Sequence, residues 1–223
     1  MEKQDLIEMI DYTLLNPTAS KEDIKTFCNE TIEHGFKAVF VNPYYVAYAN
    51  HILGDHDVKV GVPIGFSLGG ATTHVKVEET KEAIKNGARE IDMLINLGAM
   101  KSKEYDVVQS DIAEVVKASE GLTTKVIIET ALLTREEKIK ACHLIMEAGA
   151  DFVKTATGFN GGGATVEDVQ LLRSIVGKDY GVKAAGGVRT FEDAVRIVEA
   201  GANRIGTSGA LAIMSGQISN EVY

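Results

Sequence analysis

The chain is poor in cysteine and has no long apolar run. Only two cysteines, Cys28 and Cys142, occur in 223 residues, and their separation fits no metal-binding or redox spacing. Both fall in helical patterns, so we expect buried structural thiols. No apolar run approaches the roughly 20 residues of a membrane helix, and the acidic, amphipathic N-terminus does not have the form of a signal peptide. We therefore expect a cytoplasmic protein with no membrane partner.

The chain also has fewer basic than acidic residues. The chain has 23 Lys and Arg residues against 32 Asp and Glu residues, which gives a formal net charge of −9. Nucleic acids select basic faces, so this balance argues against a nucleic-acid partner. A small anionic substrate remains possible, because a local site can be positive on an acidic protein. The five scattered histidines form no ligand motif and no glycine-rich stretch has the P-loop form, so we expect no metal and no other cofactor.

Eight short apolar runs, separated by helical stretches, predict an α/β fold. The runs lack strict alternation of polar and apolar residues, which is typical of parallel strands covered by helices on both faces. The predicted strands span residues 11–15, 38–42, 59–66, 90–96, 125–129, 152–157, 182–185 and 204–206.

The ends of the predicted helices carry a repeat. Four hydroxyl residues each stand three positions before an acid, the pattern of an N-terminal cap: Ser20, Thr134, Thr165 and Thr190. Four glycines close helices, and the spacing of 52 residues in the first pair recurs in the second: Gly35 and Gly87, Gly149 and Gly201. Two units of about 26 residues suit this spacing, and eight such βα units predict a single (β/α)8 TIM barrel. No linker divides the chain, so we expect one domain over residues 1–223 with a short C-terminal tail near 216–223; an open doubly wound sheet is the alternative.

Three polar side chains interrupt strands that should be apolar. Asp92, Lys154 and Lys183 lie on the fourth, sixth and seventh predicted strands, and catalytic residues of such barrels lie at the C-terminal ends of the strands. A buried lysine beside a second cation is driven toward its neutral form, which predicts Schiff-base chemistry at Lys154. Lys183 would either keep its charge to deprotonate this neighbour or contact a substrate phosphate, and Asp92 would carry protons. A structural ion pair among the three is the alternative.

Glycine-rich turns after the seventh and eighth strands predict a phosphate site. Loops at these positions bind phosphate in many barrels, because glycine lets backbone N–H groups approach the oxygens. The candidate substrate-binding residues are Thr157, Gly158, Gly186, Gly187, Gly206, Ser208 and Gly209. Tight turns with no ligand are the alternative. We expect the stretch 159–164 to be a flexible rim loop without direct chemistry, although its last residues could present N–H groups to an anion at the helix capped by Thr165.

At these residues the chain resembles the deoxyribose-phosphate aldolases, class I aldolases with a (β/α)8 fold, over essentially its whole length. The stretches that carry the resemblance are 11–15, 41–43, 65–66, 90–93, 152–158 and 182–189, and those around Lys154 and Lys183 are the most specific. The resemblance implies reversible cleavage of 2-deoxy-D-ribose 5-phosphate to D-glyceraldehyde 3-phosphate and acetaldehyde. It implies Lys154 as the Schiff-base lysine, Lys183 and Asp92 as its proton network, and proton transfer by the C-terminal Tyr223.

Two other functions fit the same residues. One is a different Schiff-base barrel aldolase, such as a transaldolase-like enzyme, and the other is a non-catalytic barrel that binds sugar phosphates. A homo-oligomer is also possible: Tyr44, Tyr45 and Tyr48 near the second helix either pack on the barrel, which we favour, or form an interface.

The chain departs from the family pattern at two positions. Tyr12 stands where the first motif often has histidine, and Phe40 stands where many members have cysteine. That cysteine is thought to mediate inactivation by aldehyde-derived products in some relatives. We therefore predict that this protein keeps its cleavage activity during incubation with acetaldehyde, measured as residual activity over time. Loss of activity after modest exposure would contradict this.

Overall fold

A closed barrel of eight parallel strands forms the centre of the structure, a computed structural model that describes residues 1–219. Each strand pairs with the next in the sequence, and the last pairs with the first. The strands are β1 (Ile10–Leu14), β2 (Ala38–Val41), β3 (Lys59–Ile64), β4 (Glu90–Leu94), β5 (Thr123–Ile127), β6 (Phe152–Lys154), β7 (Gly181–Ala185) and β8 (Arg204–Thr207). The predicted (β/α)8 barrel is confirmed, and the open doubly wound sheet is wrong.

Helices cover the outside of this barrel. The helices are α1 (Lys3–Ile7), α2 (Lys21–His34), α3 (Val46–Leu53), α4 (Thr73–Lys85), α5 (Leu97–Lys101), α6 (Tyr105–Ala118), α7 (Arg135–Glu147), α8 (Val166–Val176), α9 (Phe191–Glu199) and α10 (Ala210–Ser215). The four predicted N-caps all form, since each hydroxyl oxygen accepts the backbone N–H three residues on. The predicted division into one domain with a tail stays a prediction, and residues 220–223 of that tail lie outside the described residues.

Six of the eight strands end earlier than the apolar pattern predicts, and for β3, β4 and β6 the structure shows the reason. Gly65 follows β3 with a φ of 63°, and Asn96 caps α5 instead of extending β4. Strand β6 stops at Lys154, three residues before the predicted end, because the backbone N–H of Thr157 donates to the carboxylate of Glu129 rather than to a neighbouring strand. At these strand ends, hydrogen bonds to polar side chains therefore replace the backbone hydrogen bonds between neighbouring strands.

The hydrophobic core lies between the strands and the helices. Outward-facing strand residues such as Val39, Ile91 and Val153 are fully buried there, and the free thiols of Cys28 and Cys142 are buried as predicted. Parallel strands covered by helices bury such apolar faces. Within residues 1–219, no helix has the length and apolar character needed to cross a membrane.

The inside of the barrel is packed around one aromatic ring. Phe40 on β2 fills the centre, and it fits because Gly61 on the neighbouring β3 has no side chain. A Cβ atom at Gly61 would lie 2.2 Å from Cζ of Phe40, far inside van der Waals contact. The pair is therefore a matched large and small residue across two strands.

Substitution of Gly61 tests this packing. We predict that Gly61→Ala lowers the free energy of unfolding by about 1–3 kcal/mol, because the added methyl group overpacks the barrel interior. Thermal or urea unfolding measures the change. Gly70→Ala is the matched control, since a Cβ there meets nothing within 4 Å. Phe40→Leu should recover stability in the Gly61→Ala background, and equal effects of the two glycine substitutions would refute the packing argument.

Candidate active site

The three polar residues predicted from the strands meet inside the barrel. Lys154 and Lys183 are register partners on β6 and β7, so their side chains enter the barrel side by side. Both amines contact the same atom, Oδ2 of Asp92 on β4, at 2.8 Å from Lys154 Nζ and 2.7 Å from Lys183 Nζ. All three side chains are buried, with Lys154 the most accessible at 5% exposure. One carboxylate thus bridges two amines that are nearly free of water.

Four further charged residues, absent from the sequence-based set, extend this cluster. They are Asp11, Glu90, Lys125 and Arg204. Lys183 Nζ lies 2.5 Å from Oδ2 of Asp11, and Lys125 Nζ lies 3.1 Å from Oδ1 of Asp92. Lys125 also binds Glu90, while Arg204 binds both Asp11 and Glu90. Each of the four is the first residue of a predicted strand, where polar residues are usual, so the signal that marked Lys154 was absent for them.

The cluster holds four basic side chains and three acidic ones, so it carries one positive charge in excess. In a site shielded from water, that excess favours loss of a proton from an amine. Burial lowers the pKa of Lys183 to about 8, although Asp11 and Asp92 oppose this, and the charges of Lys154 and Lys125 lower it further. The cluster therefore releases a proton within reach of neutral pH.

Asp92 stays ionised throughout. Burial alone would raise the pKa of its carboxyl, but Lys125, Lys154 and Lys183 hold that pKa well below the usual range. An acid of this kind is a poor proton donor in the resting site. Its Oδ2 atom is instead an acceptor through which Lys154 and Lys183 communicate.

Phe40 forms the apolar floor of the cluster. Its ring centroid lies 3.7 Å from Lys183 Nζ, 4.8 Å from Lys125 Nζ and 5.9 Å from Lys154 Nζ. The face of an aromatic ring attracts a cation most strongly at short range. Of the three amines, Lys183 therefore has the closest contact with the ring.

A pocket of about 410 Å³ opens beside the lysines. It is lined by the turns after β6, β7 and β8, including five of the predicted binding residues: Gly158, Gly186, Gly187, Gly206 and Ser208. A Cβ atom at Gly206 would lie 3.2 Å from Cε of Lys183, so the pocket reaches the charged cluster at this glycine. Gly161 and Gly162, from the predicted rim loop, also line it.

The pocket suits an anion. Gly158, Gly186 and Gly187 have φ values between 78° and 86°, a backbone conformation that glycine adopts readily. Arg189 is the charged residue in the lining. Within the described part of the chain, the N–H groups of Gly187 and Ser208 donate to no protein acceptor. Free N–H groups near a guanidinium are the donors that phosphate oxygens require.

The other predicted binding residues do not line this pocket. The hydroxyl of Thr157 donates to Glu129, and the N–H of Gly209 donates to Oγ1 of Thr207. Gly209 instead receives the tail, since a Cβ there would lie 1.9 Å from Oγ of Ser219. Tyr223 lies outside the described residues.

No cation site accompanies this arrangement in the part of the chain that is described. Among residues 1–219, no group of three His, Cys, Asp or Glu side chains lies close enough together to hold a metal ion.

Comparisons with known proteins identify the family of this chain. Residues 6–216 match the model of a family described as DeoC/LacD family aldolase. "Deoxyribose-phosphate aldolase 2" of Oceanobacillus iheyensis is 65% identical over the whole of both chains. The deoxyribose-phosphate aldolase of Thermococcus kodakarensis is 57% identical, over 97% of this chain and 98% of its own.

Solved structures give the same result. The crystal structure of a putative deoxyribose-phosphate aldolase from Coccidioides immitis superposes with a TM-score of 0.94 and 42% identity, over 96% of this chain and 86% of that one. The Aeropyrum pernix deoxyribose phosphate aldolase, whose structure is described as a unique tetramer, gives 0.90 and 34% over 96% and 91%. The protein is thus an aldolase, a carbon–carbon lyase built on a barrel. It belongs to the DeoC/LacD aldolase family.

The excess positive charge of the buried cluster predicts that the activity depends on pH. Below about pH 8, Lys183 keeps its proton, and above it the Asp92-linked pair can supply a neutral amine. We therefore predict that kcat/KM rises with pH through about 8. Lys183→Leu should remove this rise and lower kcat/KM at neutral pH by roughly 100-fold, because it removes the amine whose pKa lies near 8.

Rate profiles from about pH 6.5 to 9.5 measure this effect. Lys81→Leu is the control, since Lys81 lies exposed on α4 and pairs only with the nearby Glu78 among the described residues. A flat profile for the native enzyme, or an unchanged profile for Lys183→Leu, would rule out the shared-proton arrangement.

Proposed function

We propose that the protein reversibly cleaves 2-deoxy-D-ribose 5-phosphate to D-glyceraldehyde 3-phosphate and acetaldehyde through a Schiff base on Lys154. The observation that carries this proposal is the bridge from Lys154 through Asp92 to Lys183, set directly beside an anion pocket. The names of the relatives from Oceanobacillus iheyensis and Thermococcus kodakarensis support the same substrate.

The substrate would span the two parts of the site. Its phosphate lies in the pocket against the N–H groups of Gly187 and Ser208, with Arg189 near by. Its aldehyde carbon, C1, lies at Lys154, the most accessible amine of the cluster. The open side of Gly206 leaves room for the carbon chain between them.

The first half of the reaction forms the imine. The neutral amine of Lys154 attacks C1 and gives a carbinolamine, with its displaced proton held by the Asp92–Lys183 pair. Lys183, as an ammonium, returns a proton to the carbinolamine hydroxyl, which leaves as water. The product is a protonated imine that withdraws electrons from C2.

The second half breaks the carbon–carbon bond. A base, Asp92 or neutral Lys183, takes the proton of the C3 hydroxyl. The C2–C3 bonding electrons move into the imine, which becomes an enamine, and glyceraldehyde 3-phosphate leaves. Protonation of the enamine at C2 and attack of water on the imine then release acetaldehyde and free Lys154.

Tyr223 is our candidate for the protonation at C2. Ser219, four residues before it, lies at the mouth of the barrel, where its backbone N–H donates to the carbonyl of Arg189 at 2.9 Å. The role of Tyr223 rests on the family resemblance.

Two wider assignments belong to the same proposal. We expect a cytoplasmic enzyme of small metabolites that acts as a homo-oligomer. The tetrameric structure of the Aeropyrum pernix relative supports the second point. Tyr45 and Tyr48 pack against the core, as favoured from the sequence, while Tyr44 is 79% exposed and free to form an interface.

Covalent trapping tests the central step. With acetaldehyde and borohydride, we predict a reduced adduct on one lysine, identified by peptide mass spectrometry as Lys154. Lys154→Met should give no adduct and no turnover, while Lys138→Met, a control on α7, should behave as the native protein. A turnover-competent Lys154→Met enzyme would refute the mechanism.

Substrate comparison separates the alternatives. Faster cleavage of fructose 6-phosphate than of deoxyribose 5-phosphate would favour a transaldolase-like enzyme. Binding of sugar phosphates with no adduct and no cleavage would favour a non-catalytic barrel.

A further inference from the structure

We propose that Glu129 is a positioning residue that holds the loop of residues 158–163 (the β6 loop) as a wall of the phosphate pocket. It would thereby set the affinity for phosphorylated substrates without taking part in the chemistry at Lys154. This inference rests on the proposed function, because it assigns the pocket to the substrate phosphate.

Glu129 lies two residues after β5 and its side chain points into the neighbouring unit. Its carboxylate accepts the backbone N–H of Thr157 at 3.2 Å, the Thr157 hydroxyl, and Nδ2 of Asn160 at 2.8 Å. Thr157 lies between the end of β6 and the β6 loop, and Asn160 lies within that loop, so all of these donors come from one short segment. The residue is 1% exposed, so the contacts form out of water.

No base in the described part of the chain neutralises this acid. Within residues 1–219, no ion pair joins Glu129 to a lysine, arginine or histidine. A buried carboxylate is stabilised by hydrogen bonds from the donors that surround it, and the loss of these hydrogen bonds costs free energy. Because its donors come from one segment, the charge of Glu129 penalises any movement of the β6 loop away from it.

The backbone of Glu129 points to the same role. Among the described residues, three that are not glycine have a positive φ: Lys103, Glu120 and Glu129. Lys103 and Glu120 are exposed, whereas Glu129 is buried with a φ of 55°. A buried side chain in this conformation is held there by its contacts, and such strain collects at functional sites.

The β6 loop is fixed at further points. Nδ2 of Asn160 also donates to the carbonyl of Ser67 at 2.7 Å, and the ring of Phe159 meets that of Phe66 edge-on at 5.2 Å between centroids. At the other end, the N–H of Ala164 donates to the carbonyl of Gly186 at 2.9 Å. Gly161 and Gly162, which line the pocket, lie between these anchors.

Glu129→Gln is the sharpest substitution. Glutamine has the same shape, but whichever way its amide turns, its NH2 group faces a donor of Thr157 or Asn160. We expect KM for deoxyribose 5-phosphate to rise roughly tenfold or more with a smaller change in kcat, since the binding wall loosens while the lysines stay in place.

Two readouts separate positioning from chemistry or general damage. Formation of the borohydride-trapped adduct with acetaldehyde, which has no phosphate, should proceed at the native rate in Glu129→Gln. Binding of inorganic phosphate, measured by calorimetry, should weaken in parallel with KM. Equal losses with acetaldehyde and with the phosphorylated sugar, or unchanged phosphate binding, would overturn the proposal.

Further variants keep the test decisive. Asn160→Ala removes one anchor from an accessible loop and should raise KM in the same direction, even if Glu129→Gln fails to fold. Glu137→Gln is the matched control, because that carboxylate accepts similar bonds at the start of α7, away from the pocket. An unchanged KM in Asn160→Ala would count against the inference.

The experiment also distinguishes the two levels of proposal. If the native protein neither traps acetaldehyde nor cleaves deoxyribose 5-phosphate, the proposed function fails. The calorimetry with inorganic phosphate then still decides whether Glu129 shapes an anion site.

Discussion

The structure depends on one carboxylate oxygen shared by two buried amines. Placing charges inside a barrel is unfavourable unless each finds a partner, and seven charged side chains lie within this one. Asp92 allows Lys154 and Lys183 to approach each other. Asp11 and Glu90 are the acidic partners of the remaining bases, Lys125 and Arg204. The acids fall one short of the bases. This excess of positive charge favours the loss of a proton from the cluster, whereas a cluster with equal numbers of acids and bases would keep its ammonium groups protonated.

Barrel closure makes this cluster possible. Asp11 is 193 residues away from Arg204 in sequence, yet the pairing of β1 with β8 puts their side chains in contact. Asp92 comes from β4 and reaches Lys183 on β7, so the contact crosses the interior. An open sheet with the same strands would leave these charges on separate edges. The apolar shell of strands and helices is thus the support that keeps a charged interior dry.

The sequence predicted the fold and singled out Asp92, Lys154 and Lys183, whose side chains meet in the structure, because both depend on local signals. Strands, caps and closing glycines are set by near neighbours, and a lysine in an apolar strand stands out without knowledge of its partner. Glu90, Lys125 and Arg204 were overlooked because they lie at the beginnings of predicted strands, where polar residues are usual. Glu129 had no local signal at all, since its meaning depends on a positive φ and on donors 28 residues away. Thr157 and Gly209 were assigned to the substrate because sequence cannot tell which way a turn residue faces.

The lysines that carry the proposed chemistry and the pocket that would bind the substrate phosphate lie on different kinds of secondary structure. The amines lie on strands, where hydrogen bonds to both neighbouring strands fix their direction, whereas the pocket proposed to bind the phosphate is made of glycine turns. Such turns hold a shape only if neighbouring side chains impose it, and the acid after β5, the amide of Asn160 and the packed tail at Gly209 do so from three directions. The two regions meet at Gly206, where any larger residue would press on Lys183. Reactivity and selectivity can therefore change separately, except at that glycine, where a substitution would disturb both.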